Sequence, residues 1–360
     1  MIPYLDLHAL NAPYEADIKQ ALLDVVDSGW YLFGQQVTAF EQEWAAYTRH
    51  RHCVACANGL DALRLVLRAW IEMGTLQPGD EVIVPANTYI ASILAVSDNG
   101  LMPVPVEPDE ETYLLDPLKI EAAITPRTRA ILPVHLYGQR CDMAAIMRVA
   151  EAHGLLVLED CAQSHGASPR VAGSTQAYSF YPGKNLGALG DAGAVCTDDE
   201  ALATVVRQIA FYGSTVKYSH RYKGLNSRMD ELQASVLRIK LRELDRTNAR
   251  RQAVAACYDR EITNPLIQKP VCRASHVYHI YPVLCGQRDL LQQYLREQGI
   301  MTQIHYPIAP HRQEAYCEWA GRSYPITERI AAQELSLPCN QMMTDDEVSQ
   351  VIAAINSFGK

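Results

Sequence analysis

The chain has 360 residues, of which 48% are apolar and 20% charged, and a formal net charge of -9. That length buries a large core and points to a major and a minor domain, and the ordinary apolar content excludes a disordered chain. The acidic balance argues against a protein held to nucleic acid or a membrane surface by bulk charge, while local cations or a helix start can still bind a small anion.

No apolar run approaches the length of a membrane span, and the opening Met1-Ile2-Pro3-Tyr4-Leu5-Asp6 lacks a basic-then-apolar leader pattern. Ten cysteines are scattered without a framework spacing, which fits free thiols in a reducing compartment. The expectation is a cytoplasmic protein.

Residues 13 to 28 carry Ile18, Leu22, Val25 and Val26 at helical spacing, and Ser28-Gly29 ends the run. An aromatic loop, Trp30-Tyr31-Leu32-Phe33-Gly34, leads into an amphipathic helix bearing Val37, Phe40, Trp44 and Tyr47. Cys53-Val54-Ala55-Cys56 is a lone C-x-x-C that reads as a short strand, and without a second such pair packing is favoured over a metal or redox site. Asn58-Gly59 then turns the chain into a helix containing Leu63, Leu67, Trp70 and Ile71. A glycine-led helix start offers free N–H groups and about half a positive charge, which suits a phosphate.

Glu81 to Pro85 reads as a buried strand followed by the turn Ala86-Asn87-Thr88-Tyr89 and a helix with Ile93, Leu94 and Val96. A tyrosine just past a strand's carboxyl end stands where α/β folds bind ligands. Short strands are expected at Val104 to Glu107 and, longer, at Ala130 to Gly138. Leu155 to Leu158 is wholly apolar and runs directly into Glu159-Asp160. Central parallel strands are apolar on both faces, so Asp160 is expected at a carboxyl edge, either paired with a bound cationic ring nitrogen or capping the next helix.

Tyr178-Ser179-Phe180-Tyr181-Pro182-Gly183-Lys184-Asn185-Leu186-Gly187 presents one lysine on a glycine-flanked turn after an alternating aromatic strand. Held in one rotamer and partly dried, such an amine can act as a nucleophile, although its free pKa is about 10.4. The glycines at 187, 190 and 193 do not make G-x-G-x-x-G, and Tyr178 stands where a Walker loop needs glycine. Beyond it come a helix near 199 to 210, a basic and aromatic patch from His220 to Arg228, and a long helix from Met229 to Leu244. The remainder reads as a smaller unit: an edge strand at His276 to Val283, a helix at Asp289 to Gln298, Ile304-His305-Tyr306-Pro307, and a closing helix at Asp345 to Ile355.

A phosphate-ready helix start, Tyr89, Asp160, Ser179 and Lys184 together outline a site for pyridoxal phosphate. The chain resembles the DegT-type nucleotide-sugar aminotransferases, a branch of the fold-type-I pyridoxal enzymes, over nearly its whole length. The resemblance rests on Ala57-Asn58-Gly59-Leu60-Asp61-Ala62-Leu63, Pro85-Ala86-Asn87-Thr88-Tyr89, Pro133-Val134-His135-Leu136-Tyr137-Gly138, Glu159 to Gly166, Ser179 to Gly187, Asn226-Ser227-Arg228-Met229-Asp230 and Ile304-His305-Tyr306-Pro307.

That resemblance implies an α/β fold of the fold-type-I aminotransferase kind. A large domain with a mixed, mostly parallel sheet between helices spans residues 1–250, and a small C-terminal α+β domain spans 251–360. It implies that Lys184 is the Schiff-base lysine and proton shuttle, that Asp160 pairs with the pyridine nitrogen, that Gln163 lies beside the ring hydroxyl and that Tyr89 stacks. Gly59, Leu60 and Ser179 bind phosphate, and Asn226 reaches the phosphate of a neighbouring subunit, hence a homodimer with shared sites. Tyr31, Tyr181, Arg221 and His305 resemble residues lining the sugar or diphosphate pocket, and no metal is expected. Cys161 stands where the family often has alanine, and Lys184 sets the chain apart from relatives that carry histidine there and dehydrate instead.

The expected reaction moves an amino group from L-glutamate, leaving 2-oxoglutarate, onto a dTDP-linked keto-sugar. Ser28-Gly29-Trp30-Tyr31 with Ala91 to Val96 looks most like enzymes acting on dTDP-3-keto-6-deoxyhexoses. A 4-keto-sugar aminotransferase, an amino-cyclitol enzyme and a pyridoxal-binding regulator without turnover are the alternatives.

Overall fold

Short apolar strands alternating with helices over the first 200 residues assemble into one seven-stranded sheet. The computed structural model describes residues 1–167 and 170–359. Its strands are β1 (His52–Cys56), β2 (Glu81–Pro85), β3 (Met102–Val106), β4 (Thr128–Ile131), β5 (Leu156–Asp160), β6 (Ser174–Ser179) and β7 (Gly193–Thr197), in the order β1-β7-β6-β5-β4-β2-β3. β7 is antiparallel to β1 and β6, and the other neighbours are parallel. Six strands therefore point the same way, and their carboxyl ends share one edge of the sheet. Five residues of β2 and the last four of β5 are buried, as strands covered on both faces require.

The fold places the lysine stretch by strand periodicity. Side chains alternate along β6 and beyond it, so Tyr178 and Phe180 share one face while Ser179 takes the other. Trp44, on the Gln35–Thr48 helix, meets both aromatics edge-on, with ring centroids 5.0 Å from Tyr178 and 5.3 Å from Phe180. Ser179 instead meets the start of the Gly59–Glu72 helix, where a side chain at Gly59 would come within 2.4 Å of its Cβ. Glycine is the residue that permits this approach.

Several expected elements differ. The strand expected over 130 to 138 ends at Ile131, because Pro133 has no N–H for the ladder and Leu136–Gly138 turns into a 3-10 segment with Tyr137 at φ 61°. The helix expected from Met229 to Leu244 is two, Glu231–Leu241 and Leu244–Glu261. The basic patch opens on a small hairpin of β8 (Ser214–Val216) and β9 (Ser219–His220). The expected edge strand lies later and inside: β11 (Tyr281–Cys285) runs between β10 (Ile267–Gln268) and β12 (Glu334–Leu337) in an antiparallel sheet. All five residues of β11 are buried, which explains its continuous apolar run.

Apolar packing gathers around the large sheet, where Ile280, Leu284, Tyr316, Trp319 and Ile330 join it, and in a further cluster that draws Ile2 together with other residues between Val254 and Phe358. Among the described residues no helix is long and apolar enough to cross a membrane.

Candidate active site

Asp160 ends β5 at the centre of the sheet and is buried. Its Oδ2 accepts a 2.8 Å hydrogen bond from Ser92 Oγ and its Oδ1 accepts the Ala162 N–H at 3.0 Å. Ser92 in turn lies 3.0 Å from Thr88 Oγ1, in the turn that leads into the Ile90–Ser97 helix. The bonds from Ser92 and Ala162 fix the orientation of the carboxylate at the carboxyl edge of the sheet. It does not cap a following helix: residues 161 to 167 form turns.

Behind Asp160, Glu159 points to the opposite face and is fully buried. It accepts from Ser174 Oγ at 2.5 Å and Gln176 Nε2 at 3.1 Å, and His135 Nε2 lies 2.8 Å away. His135 Nδ1 accepts the Cys141 N–H, which leaves Nε2 as the protonated nitrogen. Ligand atoms of His135, Glu159 and Cys161 fall within 4.8 Å of one another, yet both ring nitrogens and the carboxylate are already committed to these bonds. The cluster anchors the end of β5.

Lys184 follows the Pro182-Gly183 turn, closed by its own N–H to the Tyr181 carbonyl at 2.8 Å. Gly187 folds back so closely that a Cβ there would sit 2.3 Å from the Pro182 carbonyl oxygen. The loop is pinned from both sides. Asn185 donates to Asn248 Oδ1 at 2.9 Å and to the Val277 carbonyl at 3.0 Å, and Lys240 donates to the Gly187 carbonyl at 2.5 Å. Burial pulls the Lys184 amine down to about 8 while the Asp160 carboxylate pulls the other way. His165, His279 and His305 all feel the Lys184 charge, and burial followed by that charge keeps each of them neutral.

The other expected residues fall into two groups. Gly59 and Leu60 open the Gly59–Glu72 helix, capped by Asn58 Oδ1 on the Asp61 N–H at 2.8 Å, against Ser179. First-turn N–H groups have no intrahelical acceptor, so a serine hydroxyl and two backbone donors converge there. Gln163 is buried and bridges the Tyr137 N–H at 2.6 Å and Tyr306 OH at 3.1 Å. Tyr306 contacts the exposed ring of Tyr89 at 5.1 Å, and Tyr181 is exposed on the lysine turn.

Tyr31, Arg221 and Asn226 have their contacts elsewhere. The Tyr31 carbonyl accepts the Glu231 N–H, Asn226 pairs its backbone with Phe211, and Arg221 lies over the Tyr222 ring at 5.3 Å. They belong to an exposed surface that also holds Trp30, Phe33 and Phe211.

Sequence reasoning missed Ser92 as the partner of Asp160, and Asn185 and Lys240 as the clamps on the lysine loop. Ser92 lies 68 residues from the acid it holds, and nothing adjacent to it in the chain marks it as that partner. For the clamps no local signal exists, since Lys240 lies 53 residues from the carbonyl it holds.

These residues fit a pyridoxal phosphate: a half-buried amine near a hydrogen-bonded carboxylate, and a helix start with a serine that only glycine at 59 leaves open. Comparison with known proteins agrees. One curated relative, the dTDP-3-amino-3,6-dideoxy-alpha-D-galactopyranose transaminase of Aneurinibacillus thermoaerophilus, is 51% identical over 378 residues that cover 100% of both chains. Among solved structures, S. venezuelae DesV in complex with a ketimine intermediate superimposes with a TM-score of 0.95 at 47% identity, covering 99% of this chain and 98% of that one. NtdA from Bacillus subtilis with bound cofactor PMP gives a TM-score of 0.92 at 34% identity, covering 98% of this chain and 84% of that one. With residues 13–356 matching its family model as well, the chain belongs to the DegT/DnrJ/EryC1/StrS aminotransferase family.

Proposed function

We propose that this aminotransferase moves the amino group of L-glutamate onto a dTDP-3-keto-6-deoxyhexose, giving a dTDP-3-amino-3,6-dideoxyhexose and 2-oxoglutarate. The observation that carries this reading is the half-buried Lys184 amine, which burial pulls down to about 8 within reach of the Ser92-bonded Asp160 carboxylate. The named relative at 51% identity supports the choice of nucleotide, carbon and deoxygenation pattern.

Pyridoxal phosphate, when bound, supplies an electron-accepting ring and an aldehyde that carries the amino group between substrates. The protein's part is to hold and aim it. Asp160 would pair with the ring nitrogen, Lys184 would be the covalent anchor and would carry the proton to and from the substrate carbon, and Gln163 would lie beside the ring hydroxyl. Tyr89 covers the ring, while the Gly59 and Leu60 N–H groups with Ser179 bind the phosphate. Tyr181 and His305 face the sugar.

The exposed aromatic surface supports a homodimer with shared sites. Trp30 is 63% exposed and Phe33 51%, and Phe33 meets Phe211 at 5.1 Å. Contiguous exposed aromatics mark an interaction surface. A second copy docked there brings Asn226 toward its partner's phosphate, and Tyr31 and Arg221 toward its partner's nucleotide sugar. The same reading divides the chain into a cofactor-binding part, residues 1–250, and a smaller part, residues 251–360, supported by the further apolar cluster between Val254 and Phe358. The Leu244–Glu261 helix crosses that boundary. A cytoplasmic location accords with ten free cysteines.

The test is incubation of the purified enzyme with glutamate and a panel of dTDP- and UDP-linked 3-keto and 4-keto sugars. We expect 2-oxoglutarate release and a C3-aminated product with a dTDP-3-keto-6-deoxyhexose. Amination only at C4, or no release with any sugar, overturns the proposal.

A further inference from the structure

The strand β12 carries Glu334 and Ser336 two residues apart, so both side chains lie on one face. That face meets the segment holding His305, which joins β12 through paired backbone bonds between Gln303 and Ser336. Glu334 is fully buried. Its Oε2 accepts the His305 backbone N–H at 2.6 Å, and its Oε1 hydrogen-bonds Ser336 Oγ. Ser336 Oγ then lies 2.8 Å from His305 Nδ1. One carboxyl thus holds the His305 backbone directly and its ring through a single hydroxyl.

We infer that Glu334 is a positioning residue that acts through Ser336 to set which nitrogen of His305 carries the proton. A hydroxyl in such a chain donates one way and accepts from the other. With Glu334 ionised, Ser336 donates to the carboxylate and accepts from Nδ1–H, leaving Nε2 as a bare acceptor. With Glu334 protonated at Oε1, the proton donor is the carboxyl, Ser336 donates to Nδ1, and Nε2 becomes an N–H donor. No net charge reaches the ring; only its donor and acceptor ends exchange.

Two further observations make the exchange accessible. Burial and the Lys184 charge bring His305 down to about 4, so its ring is neutral in either arrangement. Burial pushes Glu334 up to about 8, against the bonds from Ser336 and the His305 N–H and the charge of Arg288. The groups facing the carboxyl are Arg288 from the Arg288–Glu297 helix, Tyr4 from the N-terminal segment, Tyr113 and Tyr137 from loops beside the large sheet, and Tyr306. Burial pushes all four tyrosines up, so Glu334 is the group of this set that changes charge around neutral to mildly alkaline pH. The functional consequence rests on the proposed reading, in which His305 faces the sugar: a hydroxyl or keto oxygen there meets a donor in one state and an acceptor in the other.

The tautomer can be read without turnover, by long-range nitrogen–proton correlation on cofactor-loaded protein labelled with 15N-histidine, with His305 assigned by His305→Gln. We expect a pyrrole-like Nε2 two pH units below the Glu334 value and a pyrrole-like Nδ1 two units above it. Glu334→Gln, whose amide oxygen can accept the His305 N–H while its NH2 donates to Ser336, should hold the low-pH pattern throughout. Ser336→Ala should leave the tautomer independent of pH. An unchanging tautomer in the wild type, or an exchange that persists in Glu334→Gln or Ser336→Ala, overturns the inference. A failed sugar assay leaves these spectra unaffected, so the two readings fail separately.

Discussion

Ser92 donates a 2.8 Å hydrogen bond to Asp160 Oδ2, across 68 residues of sequence, and thereby aims the acid that ends β5. A hydrogen bond to a charged group contributes roughly 1.5–3 kcal/mol. We expect Ser92→Ala to weaken pyridoxal phosphate binding about tenfold, measured by fluorescence titration of cofactor-free protein. Wild-type affinity in that variant would show that the Ala162 N–H alone holds Asp160.

Lys184 is expected to bear the proton transfers. Lys184→Ala should still bind cofactor noncovalently while transfer falls by roughly 10²–10⁴ or more, the range of a lost general acid–base. Mass spectrometry after borohydride reduction checks the attachment: the wild-type chain gains the cofactor mass and the variant does not.

The half-buried amine also has a pH signature. Lys184 titrates at about 8 in the folded protein against an ordinary 10.5. As pH falls from 10.5 to about 8, the unfolded chain takes up that proton before the folded one, so the folded state loses stability in this window and levels off below it. Urea unfolding of cofactor-free wild type and Lys184→Met should show the methionine variant gaining relative stability across that interval and no further below it. A difference that is flat with pH would place the amine in water.

Gly59 tests the phosphate cradle. An added Cβ meets Ser179 Cβ at 2.4 Å, so Gly59→Ala must push strand and helix start apart. Overpacking of this kind costs about 1–3 kcal/mol. The loss of affinity should be large for pyridoxal phosphate and small for pyridoxal, compared by equilibrium dialysis; equal losses would locate the phosphate elsewhere.

Asn185 tests the clamp. Replacing it with alanine leaves Asn248 Oδ1 and the Val277 carbonyl unpaired in a buried setting. Each unsatisfied buried group costs about 1–3 kcal/mol. Hydrogen exchange should rise locally over residues 180 to 188, and turnover should fall with cofactor still attached.

Much of the fold was legible in periodicity. β2 is apolar between its ends and β5 up to Glu159-Asp160, and the helices beginning at Gln35 and at Gly59 carry their apolar residues at helical spacing. Errors arose where an apolar run exceeded its strand. Pro133 and the left-handed Tyr137 stop β4 early, while the burial of β11 between two neighbours is invisible in a run that reads equally well at an edge.

The residue types and order of the chain determined by themselves that a lysine on a glycine-flanked turn, an acid after an apolar strand and a glycine-led helix start would occur, because each is written in a few adjacent residues. Tertiary structure decided what those groups meet. Ser92 on Asp160, Lys240 on the Gly187 carbonyl, and Glu334 behind His305 are contacts made across 68, 53 and 29 residues. Such contacts depend on how strands are ordered and helices are laid against them, and it is burial in that arrangement, rather than anything local, that moves the amine and the carboxyl away from their ordinary pKa values.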